Sequence, residues 1–221
     1  MGTDRERSGA GAARPAGRRR TGRPVPRRPV ASSHVRTRDL SYTALFAAIT
    51  AVLGLVPAIQ VGPVPVTAQT LGVMLAGSVL GARRGFLSQL LFLVLVAVGL
   101  PLLASGSGGL SVFAGPSAGY LYAWPLGAFV TGLVTELAWR RFTLGWAVLA
   151  NVLGGVLVIY AVGIPFVAVY AGDVTLAQSF TGSFAFLPGD AVKVAVASLC
   201  AVQVRRAYPV IERSRRAPAA S

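Results

Sequence analysis

The sequence predicts an all-α membrane protein of six transmembrane helices, with both termini in the cytoplasm and long outer loops. Three observations carry that prediction. Of 221 residues, 54% are hydrophobic and only 13% charged, with a mean hydropathy of +0.64, whereas a water-soluble domain balances its apolar residues with about 25% charged ones. Six apolar stretches follow one another, most of them near the roughly 17 to 25 residues needed to span hydrocarbon. The arginines fall in every second connection, as an excess of basic residues in short cytoplasmic loops requires of an even number of spans.

Residues 1–38 hold eleven arginines against Asp4 and Glu6 and account for most of the net charge of +14. This segment is rich in Pro, Gly, Ala and Ser and has no hydrophobic period. It cannot bury enough surface to offset its ordering entropy, and a disordered cytoplasmic arm near anionic lipid is expected. Without interleaved aromatics or a binding fold it is not read as a nucleic-acid arm. The long basic stretch, and the lack of an A-x-A site between the first apolar run and the next span, also argue against a signal peptide.

The membrane domain is expected over 39–207, with spans near 40–56, 66–80, 85–103, 118–139, 144–170 and 184–204. A basic cytoplasmic tail over 208–221 follows. Pro57, Pro63 and Pro65 break the chain after the first span, Gly81 after the second, and Pro101 with Gly106, Gly108 and Gly109 after the third. Arg83 and Arg84, Arg140 and Arg141, and Arg205 with Arg206, Arg213, Arg215 and Arg216 then fall on the side of the arginine arm. The opposite loops, about 57–65, 104–117 and 171–183, contain one charge, Asp173. Glu136 is expected to pair with Arg140 at i,i+4. Cys200, the only cysteine, excludes an intramolecular disulfide and is read as packing.

Lys193 is the only lysine, and it stands three residues after Asp190 inside the last apolar run. A charge in mid-membrane costs roughly 2.5–3.5 kcal/mol on insertion scales, so an acid and a base retained together face each other, a cavity or a ligand. At i and i+3 they share one helical face. Counting inward from Arg205, Lys193 lies about 18 Å and Asp190 about 22 Å away, in the outer half of a core about 30 Å thick. Pro188 and Gly189 start this helix below the outer surface, where irregular backbone must be buried in protein or line a cavity. The competing reading has Asp190 resting in the positive first turn of a helix and Lys193 snorkelling outward.

The Gly-, Ser- and Pro-rich outer loops have the composition of a lid, and also that of ordinary connections. Gln69, Thr67, Ser107, Tyr120 and Tyr122 at the outer ends of the spans are positioned to converge on a pocket; singly, each is equally a helix–helix hydrogen bond. On the first span, Ala44, Ala47, Ala48 and Ala51 form two overlapping small-x-x-x-small patterns, which serve packing within the chain or docking of a partner.

Several classes are excluded. The one lysine is followed by Val194, so no phosphate loop ending in Gly-Lys-Ser or Gly-Lys-Thr exists. His34, the one histidine, lies in the arm, away from any membrane serine. Asp190 has no carboxylate partner at comparable depth for aspartyl-protease chemistry, and no His, Cys or carboxylate cluster supports a metal. The chain is not read as an enzyme; binding or transport remains, with no cofactor.

Four segments carry a resemblance: Pro65-Val66-Thr67-Ala68-Gln69-Thr70-Leu71-Gly72, Gly99-Leu100-Pro101, Val112-Phe113-Ala114-Gly115-Pro116-Ser117-Ala118-Gly119-Tyr120, and Phe186-Leu187-Pro188-Gly189-Asp190-Ala191-Val192-Lys193. In this order and spacing, over residues 40–205, the chain resembles the BioY family, the biotin-specific S components of energy-coupling factor (ECF) transporters. The resemblance implies a multi-pass protein of the bacterial plasma membrane whose long outer loops cap an outward-facing pocket that holds biotin. It also implies a transmembrane coupling protein and paired ABC-type ATPases as partners, the ATP being used by those subunits. Asp190 and Lys193 match the polar pair expected to contact the ligand, and the four alanines match the face expected to dock on the coupling protein. Phe113 and Tyr120 would then supply apolar wall, and Gln69 or Ser107 secondary hydrogen bonds. On the residues alone two other readings stay open: an S component for another small vitamin, and a proton-coupled carrier using Asp190 and Lys193 as a relay.

Overall fold

Polarity in this bundle runs from an apolar outside to a partly polar inside. In the computed structural model, which describes residues 37–61, 64–172, 174–207 and 211, large side chains such as Leu45, Leu90, Val94, Leu133, Val192 and Leu199 are exposed, while Thr50, Gln89, Thr131, Asn151 and Ser198 are completely buried. Lipid offers no hydrogen bonds, so polar side chains turn inward to one another. Gln89 donates to Thr50 Oγ1 at 3.1 Å, and Asn151 to Ser198 Oγ at 3.0 Å. Nearly all of the arginine arm, Asp173 and, apart from residue 211, the basic tail lie outside the described residues.

The elements are α1 (Thr37–Leu53), β1 (Ile59–Val61), β2 (Val64–Val66), α2 (Gln69–Leu80), α3 (Ala82–Ala97), α4 (Ala118–Leu137), α5 (Leu144–Val152), α6 (Ile159–Tyr170), α7 (Leu176–Ser183) and α8 (Leu187–Ala207). A π-helical segment, Leu153–Val158, joins α5 to α6 without a break. Two continuous helical stretches, Leu144–Tyr170 of 27 residues and Leu176–Ala207 of 32, are each long and apolar enough to cross a membrane. The other helices overlie the remaining apolar stretches of the sequence.

The connections read from sequence as outer loops are more ordered than their composition suggests, so the fold is not purely helical. Residues read as loop form an antiparallel hairpin in which Ile59 faces Val66 and Gln60 faces Pro65. The next connection contains two 3₁₀ turns, Ala104–Gly106 and Leu110–Ala114. The third contains α7, started by a capping box: Thr175 Oγ1 accepts from the Gln178 N–H, and Gln178 Oε1 accepts from the Thr175 N–H at 2.8 Å.

Short α2 is enclosed by its neighbours, with Val73, Met74 and Ala76 fully buried. Val73 joins Phe92, Val96, Leu121, Trp124 and Ile159 in the main core, where the Phe92 and Trp124 rings lie 5.7 Å apart. A single residue, Gly81, turns α2 into α3. Its φ of +87° is a left-handed conformation, and a Cβ there would sit 2.3 Å from Glu136 Oε1. That same oxygen accepts the Ala82 N–H at 2.8 Å, satisfying one of the orphan donors at the start of α3. Glu136 is therefore a cap across the bundle, a role different from the expected i,i+4 pair with Arg140. Cys200, read as packing, is exposed on the outside of α8.

Charged groups gather at one end. Arg84 pairs with Asp39 at 2.7 Å, Glu136 caps α3, and the Arg205 guanidinium lies 5.0 Å from the Trp139 ring and donates to the Trp139 and Phe142 carbonyls. Along α4, Tyr120 is about 24 Å from Glu136 at 1.5 Å per residue. There, at the other end, Gln69 ties a loop down: its Nε2 donates to the carbonyls of Thr50 and Leu102, at 3.3 and 3.0 Å, and its Oε1 accepts the Ala104 N–H at 3.0 Å.

Two predictions follow from this packing. A Cβ on Gly132 would lie 2.3 Å from backbone atoms of Gly81 and Ala82, so Gly132→Ala should destabilise by about 1–3 kcal/mol. Gly182→Ala, on α7 with open space around it, should be neutral or stabilise by up to about 1 kcal/mol. Thermal melting of the two variants beside the parent checks the contrast. In Gln69→Ala, amide hydrogen exchange at Ala104 should accelerate by about tenfold or more; unchanged exchange there would show that the loop holds itself.

Candidate ligand-binding site

A cavity of about 950 Å³, counting its open mouth, lies between the hairpin, the 3₁₀ turns and the ends of α2, α4, α6 and α8. Val64, Pro65 and Val66 form one wall and Leu103, Ala104 and Ser107 another, while Tyr120, Trp124, Tyr160 and Phe186 supply aromatic surface. This is the composition of a small-molecule site, mostly apolar with a few convergent polar groups.

Those polar groups centre on Asp190 and Lys193. Lys193 Nζ lies 3.0 Å from Asp190 Oδ1, and both side chains are largely buried, at 13% and 8% exposure. Two further residues complete the arrangement. Lys193 Nζ also donates to Thr70 Oγ1 at 3.0 Å, and the Tyr160 hydroxyl donates to Asp190 Oδ2 at 2.5 Å. The chain Thr70–Lys193–Asp190–Tyr160 thus links α2, α8 and α6. Desolvating two charges costs several kcal/mol per ion, recovered only with good geometry and extra hydrogen bonds; Thr70 and Tyr160 provide those bonds.

The residues singled out in the sequence divide. Asp190, Lys193, Gln69, Ser107 and Tyr120 all line the cavity. Gln69 is 1% exposed, and its amide is engaged by the loop bonds described above. Ser107 sits exposed, donating to the Ala104 carbonyl at 3.1 Å. Tyr120 Oη is 3.4 Å from Ser183 Oγ. Phe113 stands apart from the cavity lining; its ring lies 5.9 Å from that of Tyr122, whose hydroxyl donates to the Phe113 carbonyl.

The alanines of α1 share one stripe about 100° wide, and the edge of the buried surface runs along it. Ala47 is 3% exposed in the main core and Ala51 packs against that core, while Ala44 and Ala48 are exposed.

Sequence reasoning missed Tyr160, Thr70, Trp124 and Phe186. Thr70 follows Gln69 directly, and Tyr160 is the one phenol in the middle of the apolar run 144–170, but hydroxyls of this kind are ordinary in membrane helices and single neither residue out.

Comparison with known proteins agrees with this architecture. Residues 27–210 match the sequence model of the BioY family. The chain is 50% identical over 182 residues to a Rhizobium etli protein named biotin transporter BioY, covering 79% of this chain and 97% of that one. It is 43% identical over 171 residues to a Bacillus subtilis protein named probable biotin transporter BioY, covering 76% and 91%. The fold matches the crystal structure of an S-component for biotin from an ECF-type ABC transporter with a TM-score of 0.73 at 32% identity, over 77% of this chain and 92% of the other. With sequence and S-component membrane fold in agreement over most of its length, this chain belongs to the BioY family.

Proposed function

We propose that this chain is the biotin-binding S component of an ECF-type uptake transporter in a bacterial plasma membrane. It captures biotin from outside and delivers it inside when coupled to a transmembrane protein and paired ABC-type ATPases. The observation that carries this reading is the buried Asp190–Lys193 pair set in the wall of an otherwise apolar and aromatic cavity. The names of the chain's relatives and their shared fold support the same ligand.

Hydrogen-bond counting favours one orientation of biotin. A carboxylate has about four acceptor sites and an ammonium three donors. After the bonds to each other, Tyr160 and Thr70, about two acceptor positions remain on Asp190 and one donor on Lys193. A cyclic urea offers two N–H donors and one carbonyl, the complement of that remainder. A carboxylate offers only acceptors. The ureido ring therefore meets the pair, the bicycle lies against the aromatic wall, and the valeryl carboxylate points toward the mouth.

Six spans with both termini in the cytoplasm fit the gathering of Asp39, Arg84, Glu136 and Arg205 at the end remote from the cavity. Ala44 and Ala48, exposed on α1, are the part of the alanine pattern available to a coupling protein. A proton relay through Asp190 and Lys193 finds no support in α8: Cys200, the only titratable side chain between Lys193 and Arg205, is exposed on the outside of the bundle.

Calorimetric titration of biotin into the purified protein tests the function. The parent should bind tightly. Asp190→Asn and Lys193→Ala should each lose more than about 1.4 kcal/mol, tenfold. Because removing one partner of a buried pair costs about 3–5 kcal/mol of stability, the double variant Asp190→Asn/Lys193→Met, which leaves no unpaired charge, is titrated alongside. A parent that binds no biotin would end the proposal, and variants that bind as well as the parent would make the pair structural. For the orientation, biotin methyl ester should bind within about tenfold of biotin. A loss beyond about a hundredfold, the scale of a severed charge contact, would put the carboxylate on Lys193 instead.

A further inference from the structure

Tyr160 is half-buried, and its ring is held on two sides. It meets Tyr120 edge-on at 6.3 Å and Phe186 at 6.4 Å, and those two rings meet each other at 6.3 Å, so aromatics from α4, α6 and the 3₁₀ turn just before α8 form a closed edge-to-face triangle. Tyr160 also packs against the buried cluster of Met74, Val156, Val194 and Ala197. A ring fixed this way aims its hydroxyl in one direction, and that direction ends on Asp190 Oδ2 at 2.5 Å. The other carboxylate oxygen, Oδ1, is taken by Lys193 at 3.0 Å.

Rotation of a carboxylate about its terminal torsion is broad and roughly two-fold. Clamping one oxygen from α8 and the other from α6 removes that freedom. The remaining acceptor positions then face the cavity in a fixed orientation. From this geometry we infer that Tyr160 is a positioning residue for biotin recognition, acting through Asp190 by holding its carboxylate in the orientation that receives the ureido N–H groups. The inference rests on the biotin-binding reading above and adds a third helix, α6, to the recognition apparatus.

Tyr160→Phe tests it, since the substitution keeps the aromatic triangle and removes only the donor. Biotin affinity should fall by about tenfold to a hundredfold, the range for a hydrogen bond to a charged group, and the unliganded protein should stay folded with a lowered melting temperature, because the same hydroxyl helps offset burial of the pair. In an Asp190→Asn background the same change should cost less than about twofold, because there is no carboxylate left to position. An equal loss in both backgrounds would overturn the inference and make the hydroxyl a direct ligand contact. Unchanged affinity of Tyr160→Phe would overturn it outright. Ultraviolet resonance Raman of the unliganded protein reads the bond without biotin. The difference between parent and Tyr160→Phe should contain a strongly donating phenol that Asp190→Asn abolishes, and its absence would overturn the clamp itself. A parent that binds no biotin but gives this Raman signature would sink the ligand reading while leaving the Tyr160–Asp190 bond standing, so the two failures are distinguishable.

Discussion

Two opposite charges buried between helices with apolar outer faces require compensation, and much of this structure supplies it. Asp190 and Lys193 share one face of α8 at i and i+3, but the pair alone would not recover the cost of leaving water. Thr70 from α2 and Tyr160 from α6 complete it. Those bonds draw three helices together around a cavity that all four side chains line. Stability and the proposed recognition therefore rest on the same four side chains.

The remainder of the fold separates that polar centre from the charged end. At the latter, Gly81 makes a one-residue corner that only a residue without a Cβ fits, because Glu136 occupies the space while capping α3. At the former, Gln69 fastens residues 102–104 beside the cavity with two hydrogen bonds and ties them to the Thr50 carbonyl of α1 with a third, and α7 extends the last helix beyond the cavity wall. A polar glutamine buried this way does structural work beside the ligand space, holding the cover while Asp190 and Lys193 provide the charge.

Much of this was legible in the sequence, for physical reasons that also mark where legibility stops. Helices in lipid announce themselves by composition and by Pro and Gly punctuation, so their positions emerge without any tertiary information. Asp190 and Lys193 stand out because charge in an apolar run is costly. Tyr160 and Thr70 carry no such mark: a phenol or a threonine in a membrane helix is ordinary, and their roles exist only once the fold brings them to partners 30 and 123 residues away. The alanines of α1 were visible as a one-face pattern, yet the pattern does not say where along that stripe burial ends, with Ala47 buried and Ala44 exposed. Phe113 failed as a wall residue for a similar reason, since its ring turns to Tyr122. Helix α7 was hidden by its serines and glycine, although its Thr175–Gln178 capping box was present to be read.

The central claim is that the Asp190–Lys193 pair is where biotin is held. A structure of the protein with biotin bound tests it most directly. The account predicts the ureido ring within about 2.7–3.2 Å of Asp190 and Lys193, with the bonds from Tyr160 and to Thr70 still in place. Biotin seated elsewhere, or lying in the cavity with the pair untouched by any of its polar atoms, would contradict it.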